Sequence, residues 1–207
     1  KAVRIGVAMD EAFCFYYYDN LKELERCGAE LVHFSPIRDE LPDVDGLYLG
    51  GGYPELYAPA LEKGSARRQI KEASEEGMPI YGECGGLMYL GEELVMETGR
   101  YKMAGGLPGS TIMTAKLVAL GYARAEVVGY SPLAGLGRSI LGHEFHYSRF
   151  ECDRDSRFAY RMSRGRGICE GRDGLVEHST LGAYLHAHFF SHSPEHFIDE
   201  CQRYQRT

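Results

Sequence analysis

The 207-residue sequence predicts an α/β protein with a mostly parallel central sheet flanked by helices. Two observations support this fold class. In the first half, short apolar runs typical of buried strands alternate with amphipathic stretches typical of helices. After about residue 99, strand-like segments separated by glycine-rich turns replace this alternation, so the second half should be richer in β-structure. A chain of this length can form one domain with a buried core.

Strands and helices alternate along the first half of the chain. The apolar runs that predict strands lie at 4–8, 29–34, 46–49 and 79–81. Two stretches with apolar residues on one face predict helices at 17–26 and 65–76. Gly28 and Gly77 are typical helix stop signals, and Ser65 is expected to cap the second helix. Because β and α segments alternate, the strands should run parallel with helices on both faces of the sheet.

The second half contains longer strand-like segments and a closing helix. The strand-like segments lie at 117–128, 139–148 and 174–190. Phe197, Ile198 and Cys201 form the apolar stripe of a helix predicted over 194–204. No internal repeat, linker or low-complexity segment interrupts the sequence. We therefore predict a single domain over residues 1–207.

The bulk properties indicate a soluble protein that acts on a small molecule. The formal net charge is −7, and Lys and Arg form no long runs, which argues against a nucleic-acid partner. No apolar stretch is long enough to span a bilayer and the chain does not start with a signal sequence, so we expect no membrane partner and a cytoplasmic location. The six cysteines form no Cys-x-x-Cys pair, so most should be reduced thiols.

Segment 80–90 places Cys84 at the centre of a G-x-C-x-G motif. A strand, a sharp turn and a helix start with this spacing are typical of a nucleophile elbow. Gly82, Gly85 and Gly86 let the chain pass close to the following helix, whose N-terminus favours the thiolate form of the cysteine. We therefore predict that Cys84 is a catalytic nucleophile. The alternative is a small buried cysteine in a tight turn.

Two glycine sites can stabilise the oxyanion that forms when a thiolate attacks a carboxamide. Gly85 follows the nucleophile and can donate one backbone N–H. The glycine run 50–52 follows a predicted parallel strand, where α/β sheets bind ligands, so it can donate the second. No Gly-Lys-Ser/Thr sequence follows this run, which argues against a P-loop.

The general base is expected among the eight histidines. His186 and His188 lie two residues apart on a strand-like segment, so their side chains should point to the same face. One could act as the base while the other orients it. The functional alternative is a metal site, for which the candidate ligands are His143, His146, His186 and His188. Such a site would leave the cysteine turn unexplained, so we predict no metal in this chain.

Five segments of the sequence resemble one protein family. They are 12–17 (Ala-Phe-Cys-Phe-Tyr-Tyr), 49–55 (Leu-Gly-Gly-Gly-Tyr-Pro-Glu), 83–90 (Glu-Cys-Gly-Gly-Leu-Met-Tyr-Leu), 142–148 (Gly-His-Glu-Phe-His-Tyr-Ser) and 184–189 (Tyr-Leu-His-Ala-His-Phe). Over nearly its whole length the chain resembles the carboxy-terminal glutaminase domain of cobyrinic acid a,c-diamide synthases, a branch of the class I (triad) glutamine amidotransferases. The resemblance implies a flavodoxin-like arrangement of the sheet.

The resemblance also assigns roles to individual residues. It places the base at His186 and the second oxyanion donor at Gly52. Most class I relatives carry Glu two residues after the catalytic His, and His188 holds that place here, so His188 is the possible third member of the triad. The His-Ser-Pro-Glu sequence at 192–195 lies past the strand and is treated as a chance match to the usual His-Pro-Glu. The residues predicted to bind substrate are Gly51, His143 and Tyr147.

The family resemblance implies a reaction that this chain would perform only in part. Ammonia from glutamine would be used in an ATP- and Mg²⁺-dependent amidation of the a and c acetate side chains of a corrinoid or related tetrapyrrole. ATP and Mg²⁺ would bind to an amino-terminal synthase domain of the same polypeptide, and the glutaminase domain would hold no cofactor. The expected partners are therefore glutamine, the synthase domain and the tetrapyrrole acceptor.

Several alternatives to this interpretation stay open. The acceptor could be hydrogenobyrinic acid or nickel sirohydrochlorin instead of cobyrinic acid. A cysteine hydrolase of another class could use the same elbow without glutamine. A non-catalytic docking domain could carry Cys84 as a structural residue.

Overall fold

The computed structural model describes residues 2–205. Within them the strands are β1 (Val3–Ala8), β2 (Phe13–Phe15), β3 (Ala29–Phe34), β4 (Gly46–Leu49), β5 (Gly51–Gly52), β6 (Ile80–Glu83), β7 (Glu93–Met96), β8 (Gly99–Lys102), β9 (Ser110–Met113), β10 (Ala119–Val127), β11 (Ser139–His146), β12 (Ser148–Glu151), β13 (Arg157–Arg164), β14 (Arg172–Glu177), β15 (Thr180–Ala183) and β16 (His186–Ala187). The helices are α1 (Tyr18–Arg26), α2 (Ala58–Lys63), α3 (Ala66–Glu75), α4 (Gly85–Leu90), α5 (Glu195–Tyr204) and a 3₁₀ turn (Pro54–Leu56). No helix in this range combines the length and the apolar character needed to cross a bilayer.

Ten strands form one large sheet in the order β16-β11-β10-β13-β14-β15-β6-β4-β1-β3. The neighbours β3, β1, β4, β6 and β15 run parallel, as the alternation of strands and helices predicts. The remaining strands, β14, β13, β10, β11 and β16, continue the sheet through antiparallel pairs. The predicted α/β class is therefore confirmed, and the β-rich second half extends the parallel sheet.

Helices cover both faces of the parallel strands. On one face, Ile5 of β1 shares a buried apolar cluster with Leu24 of α1 and Phe197 of α5. On the other face, Leu47 of β4 shares a second cluster with Ile70 of α3. Successive strand residues point to opposite faces, so each apolar strand supplies side chains to both clusters. The expected position of helices on both faces is confirmed.

Glycines end two of the helices as predicted, but Ser65 does not cap α3. Gly28 and Gly77 adopt the left-handed conformation, with φ of 94° and 87°. After Gly77, the Met78 N–H donates to the Ala73 carbonyl at 2.9 Å, which closes the helix. Ser65 itself has helical backbone angles and forms no capping bond with its side chain. A capping side chain requires a non-helical backbone at that residue, so the predicted cap is wrong.

The segment predicted as one strand over 174–190 is divided into parts of β14, β15 and β16. Only Tyr184 and Leu185 separate β15 from β16, although four strands lie between them in the sheet order. The sheet therefore has to curl until its edge strand β16 meets the end of β15. The buried carboxylate of Asp173 fixes this crossing, because it accepts the Tyr184 N–H at 3.0 Å and the Leu185 N–H at 2.9 Å.

Two smaller sheets complete the fold, and the sequence patterns do not reveal them. One has four strands in the order β12-β9-β7-β8, and the predicted strand over 139–148 divides between this sheet and the large one. The other pairs β2 with β5 and aligns Phe13 with Gly52 and Phe15 with Gly51. This pair places the aromatic residues near the N-terminus directly beside the glycine run that follows β4.

Three histidines have lowered pKa values because they are partly or largely buried, so we expect the protein to lose stability in acid. Burial lowers the pKa of His143, His146 and His192 to about 4, and the neighbouring His186 adds to the effect at His143. The unfolded chain protonates histidine at a pKa of about 6.5, so it binds more protons than the folded chain between these values. These three rings should therefore lower the free energy of unfolding as the pH drops from about 6.5 to about 4, and they outnumber the single buried carboxyl of Asp173, whose pKa of about 7 acts in the opposite direction.

Urea unfolding at a series of pH values checks this prediction. A His192→Gln variant, which removes one of the three titrating rings, should show a shallower fall in the unfolding midpoint. An identical slope in the wild type and the variant would contradict the prediction.

Candidate active site

Cys84 occupies the sharp turn between β6 and α4. Its backbone angles, φ 48° and ψ −95°, lie in a region that residues other than glycine rarely adopt. The Cys84 N–H donates to the Ala183 carbonyl at 2.7 Å, and its own carbonyl accepts the Met88 N–H at 2.9 Å. The side chain is 7% exposed, and its Sγ lies 3.6 Å from the Phe145 carbonyl oxygen. A strained residue held by hydrogen bonds on both sides is a common feature of functional sites.

The glycines of the elbow are required by close packing. A Cβ atom on Gly86 would lie 2.1 Å from the Leu49 carbonyl oxygen, and a Cβ on Gly82 would lie 2.9 Å from the Gly86 carbonyl carbon. Such contacts are shorter than any that real Cβ atoms make, so a side chain at either position would move the backbone. The glycines at 82 and 86 thus allow β6 and α4 to pack closely against each other and against β4, as the geometry of an elbow requires.

His186 lies at the start of β16, is 5% exposed and contacts Cys84. Its Nδ1 faces the Oε2 of Glu83 at 3.6 Å. Burial alone would lower the pKa of His186, but hydrogen bonds and charge interactions with Cys84 and Glu83 outweigh it and raise the pKa to about 10. The imidazole is therefore protonated at neutral pH and faces Cys84 as a cation.

The rings of His143 and Tyr17 lie between His186 and His188, the other histidine of the same predicted strand. His143 stacks on His186 with ring centres 4.5 Å apart and planes 4° apart, and its Nδ1 lies 2.5 Å from the Tyr17 hydroxyl. The ring of His188 packs against Tyr17, with centres 4.6 Å apart, and against Phe190. His188 therefore does not face Nδ1 of His186. The group that faces this nitrogen is the carboxylate of Glu83.

The side chain opposite Nδ1 of His186 is therefore that of Glu83, and His188 lies on the far side of Tyr17 and His143. No motif in the sequence marks Glu83, although one signal is present. A carboxylate at the last position of a buried strand, directly before the nucleophile, is expected to have a specific partner because an unpaired buried charge is costly.

A cavity of about 460 Å³ lies next to the Cys84–His186 pair, and Gly52 also lines it. Two of the predicted substrate-binding residues, His143 and Tyr147, line its wall. The third, Gly51, instead approaches the base, because a Cβ there would lie 2.6 Å from Cε1 of His186. Partly exposed aromatic side chains form the rim of the cavity: Phe15, Tyr53, Phe145 and Tyr147.

The two predicted oxyanion donors lie side by side. A Cβ on Gly85 would lie 3.0 Å from the backbone nitrogen of Gly52, so the two residues pack backbone against backbone. The N–H of the next residue, Tyr53, already donates to the Ala12 carbonyl at 2.9 Å. Within the glycine run, Gly52 is thus the residue that lines the cavity next to Cys84.

The structure does not support the metal alternative within residues 2–205. No group of three or more His, Cys, Asp and Glu side chains in that range is arranged to hold a metal ion. His146, for example, stacks on Tyr184 with ring centres 3.6 Å apart, and its Nδ1 lies 2.9 Å from the Ser148 carbonyl oxygen. His192, in the chance match at 192–195, packs against Phe189 and does not line the cavity.

Fold and site together define a class of protein. A buried cysteine on a strained strand-to-helix turn contacts a buried histidine beside a cavity, a combination typical of sites for nucleophilic chemistry. Comparison with known families identifies a more specific group. The model of the CobB/CobQ-like glutamine amidotransferase domain matches residues 4–194. The chain belongs to this family, and the resemblance predicted from the sequence is confirmed.

Curated relatives support the same assignment. The chain is 50% identical over 201 residues to cobyrinate a,c-diamide synthase of Methanosarcina acetivorans, an alignment that covers 89% of this chain and 40% of that protein. It is 47% identical over 193 residues to cobyrinate a,c-diamide synthase of Archaeoglobus fulgidus, covering 92% of this chain and 42% of that protein. The chain thus spans about two-fifths of the length of these relatives.

A solved structure shows the same fold at low sequence identity. The structure of PurLQS from Thermotoga maritima superposes with a TM-score of 0.70 at 19% identity, covering 99% of this chain and 100% of that chain. At 19% identity this similarity demonstrates a shared fold only. The chemistry of the site has to be inferred from its own residues.

Proposed function

We propose that this chain hydrolyses glutamine at Cys84 and supplies the released ammonia to an amide-forming synthase. The family to which the chain belongs supports the glutamine amidotransferase role. The observation that carries the proposal is the contact between Cys84 and the buried His186 at the cavity. A cysteine is a strong nucleophile once its proton has moved to a neighbouring base.

The geometry supports a sequence of four steps. The Cys84 thiolate attacks the side-chain carbonyl carbon of glutamine, and the N–H groups of Gly85 and Gly52 hold the oxyanion. The imidazolium of His186 donates its proton to the leaving ammonia, which leaves a glutamyl thioester on Cys84. Neutral His186 then takes a proton from water as the water attacks the thioester. Glutamate leaves, and the thiolate–imidazolium pair is restored.

We further propose that the ammonia serves an ATP- and Mg²⁺-dependent synthase that amidates cobyrinic acid or a related tetrapyrrole. The names and the greater length of the curated relatives support this larger role and favour cobyrinic acid over nickel sirohydrochlorin as the acceptor. The sequence of this chain contains no P-loop, and its described residues form no metal cluster. In this proposal ATP and Mg²⁺ therefore bind to another part of the polypeptide.

The rim of the cavity supports contact with such a synthase region. Phe15 packs edge-on against Tyr53 with ring centres 5.0 Å apart, and Phe145 packs against Tyr147 at 5.7 Å. All four side chains keep more than two-fifths of their surface exposed although they are large and apolar or amphipathic. Exposed aromatic groups that surround one opening are typical of a surface that another domain covers.

Replacing Cys84 with Ser in the full-length protein tests the hydrolytic role. We expect glutamate release from glutamine to fall by about 10⁴-fold or more, because the hydroxyl lacks the acidity and the nucleophilicity of the thiol. With an ammonium salt as the nitrogen source, the variant should still amidate the tetrapyrrole. Cys27→Ser, which changes a cysteine at the end of α1, is the matched control and should behave as the wild type.

Each rival function predicts a different result. Undiminished glutamate release by Cys84→Ser would refute the proposal. A hydrolase of another class would keep a reactive Cys84 but release no glutamate in the wild type. A docking domain would show neither property.

A further inference from the structure

Glu83 is a buried carboxylate whose two oxygens are used in different ways. It is 1% exposed and lies at the last position of β6, directly before Cys84. Its Oε1 accepts hydrogen bonds from the hydroxyls of Tyr81 at 2.7 Å and Tyr48 at 3.1 Å. Its Oε2 faces Nδ1 of His186, its one ion-pair partner in the described part of the chain. The tyrosines thus fix one oxygen and leave the other for the histidine.

The alternation of side chains along β6 explains this position. Tyr81 and Glu83 lie two residues apart on the same face of the strand, so the hydroxyl of Tyr81 reaches the carboxylate. The strand then turns, and Cys84 follows at the elbow. His186 therefore contacts two consecutive residues of one strand end. Because Nδ1 faces Glu83, the nitrogen that remains for Cys84 is Nε2.

A second layer of hydrogen bonds ties the carboxylate to the strand that carries the histidine. Asn20 of α1 donates to the Tyr48 hydroxyl at 3.4 Å and to the Ala187 carbonyl at 2.7 Å, and its Oδ1 accepts the Phe189 N–H at 2.8 Å. One buried amide thus links a partner of Glu83 with the backbone that follows His186. Such a connected network fixes the relative positions of its members.

The charges around Glu83 agree with this arrangement. Burial, together with the charge of Glu83, raises the pKa values of Tyr48 and Tyr81 well above the usual value for tyrosine. Both hydroxyls therefore keep their protons and donate them in hydrogen bonds to the carboxylate. The negative charge is left to stabilise the imidazolium of His186.

We propose that Glu83 is the positioning residue of this site: its carboxylate, held by two tyrosine hydroxyls, orients the His186 ring and stabilises its charge. The inference rests on the proposed hydrolysis of glutamine by Cys84 and His186. In this proposal the carboxylate that pairs with His186 belongs to the residue directly before Cys84, on β6. It does not belong to β16, the strand that carries His186. A carboxylate in this role selects the tautomer of the ring and stabilises its protonated form.

Glu83→Gln in the full-length protein tests this proposal, because the amide keeps the shape and removes the charge. We expect kcat for glutamine hydrolysis to fall by about 10²- to 10⁴-fold, while KM for glutamine changes little. Tyr81→Phe is the matched control, since it removes one hydrogen bond but leaves the carboxylate, and it should lose much less activity. A kcat for Glu83→Gln equal to that of Tyr81→Phe would overturn the proposal.

Alkylation of Cys84 by iodoacetamide gives a readout that does not depend on glutamine. In the wild type the rate should fall little between about pH 9 and about pH 6, because His186, whose pKa is about 10, keeps its proton beside the sulfur over this range. In Glu83→Gln the rate at the lower pH should fall steeply, and Glu83→Asp, which keeps the charge, should restore part of it. Equal pH ratios in all three proteins would overturn the proposal, even if the wild type released no glutamate and the proposed function failed.

Discussion

Replacing His186 with Gln should lower glutamine hydrolysis by about 10⁴-fold or more in steady-state assays of the full-length protein. In the proposed mechanism the change removes the cation that faces Cys84 and the proton donor for the leaving ammonia. It also leaves the buried carboxylate of Glu83 without its ion-pair partner, so a loss of stability should accompany the loss of activity. The effect should appear mainly in kcat, because the imidazole acts on the leaving group more than on substrate binding.

His192→Gln is the control for this experiment. His192 is a second buried histidine near the carboxyl end of the chain, but it packs against Phe189 and does not line the cavity. Its replacement should leave kcat within a few-fold of the wild type. The account would be contradicted if His192→Gln, and not His186→Gln, abolished hydrolysis.

Gly142→Ala should be the most damaging small substitution near the site. Gly142 of β11 is the register partner of Ala187 in β16. A Cβ at Gly142 would lie 1.8 Å from the carbonyl oxygen of His186 and 2.7 Å from its carbonyl carbon. The added methyl group can only be accommodated if β16 moves away and carries the His186 ring with it. We expect a destabilisation of about 3 kcal/mol and a large fall in kcat.

Gly135→Ala provides the matched control, because a Cβ at Gly135 has no atom within 4 Å. The midpoint of urea unfolding and kcat should both be close to those of the wild type. A Gly142→Ala protein as stable and as active as Gly135→Ala would show that β16 does not pack against β11 in this way.

The parts of the fold that the sequence predicts are those that local patterns determine. The parallel strands are short apolar runs between stop signals, and Gly28 and Gly77 end helices through a conformation that glycine adopts easily. The strand β2 was not predicted, because it pairs with β5 through contacts between residues distant in sequence, such as Phe13 with Gly52. Three-residue and two-residue strands have too few positions to show a periodicity.

The same distinction applies to the site. The elbow around Cys84 is local, so the glycine spacing predicts its geometry. The choice of His186 among eight histidines came from family resemblance, because the curling of the sheet that brings β16 to the end of β15 leaves no local pattern. The position two residues after His186 favours His188 as the third member. In the structure the carboxylate opposite His186 comes from another strand, as Glu83.

Trapping the reaction intermediate tests the central claim most directly. Full-length protein would be mixed with glutamine, quenched in acid during turnover and digested, and the peptide that contains Cys84 would be examined by mass spectrometry. The account predicts a glutamyl thioester on Cys84 that is absent when glutamine is omitted and absent in His186→Gln. An unmodified Cys84 peptide, recovered while glutamate is being released and the thioester is stable to the quench, would contradict it.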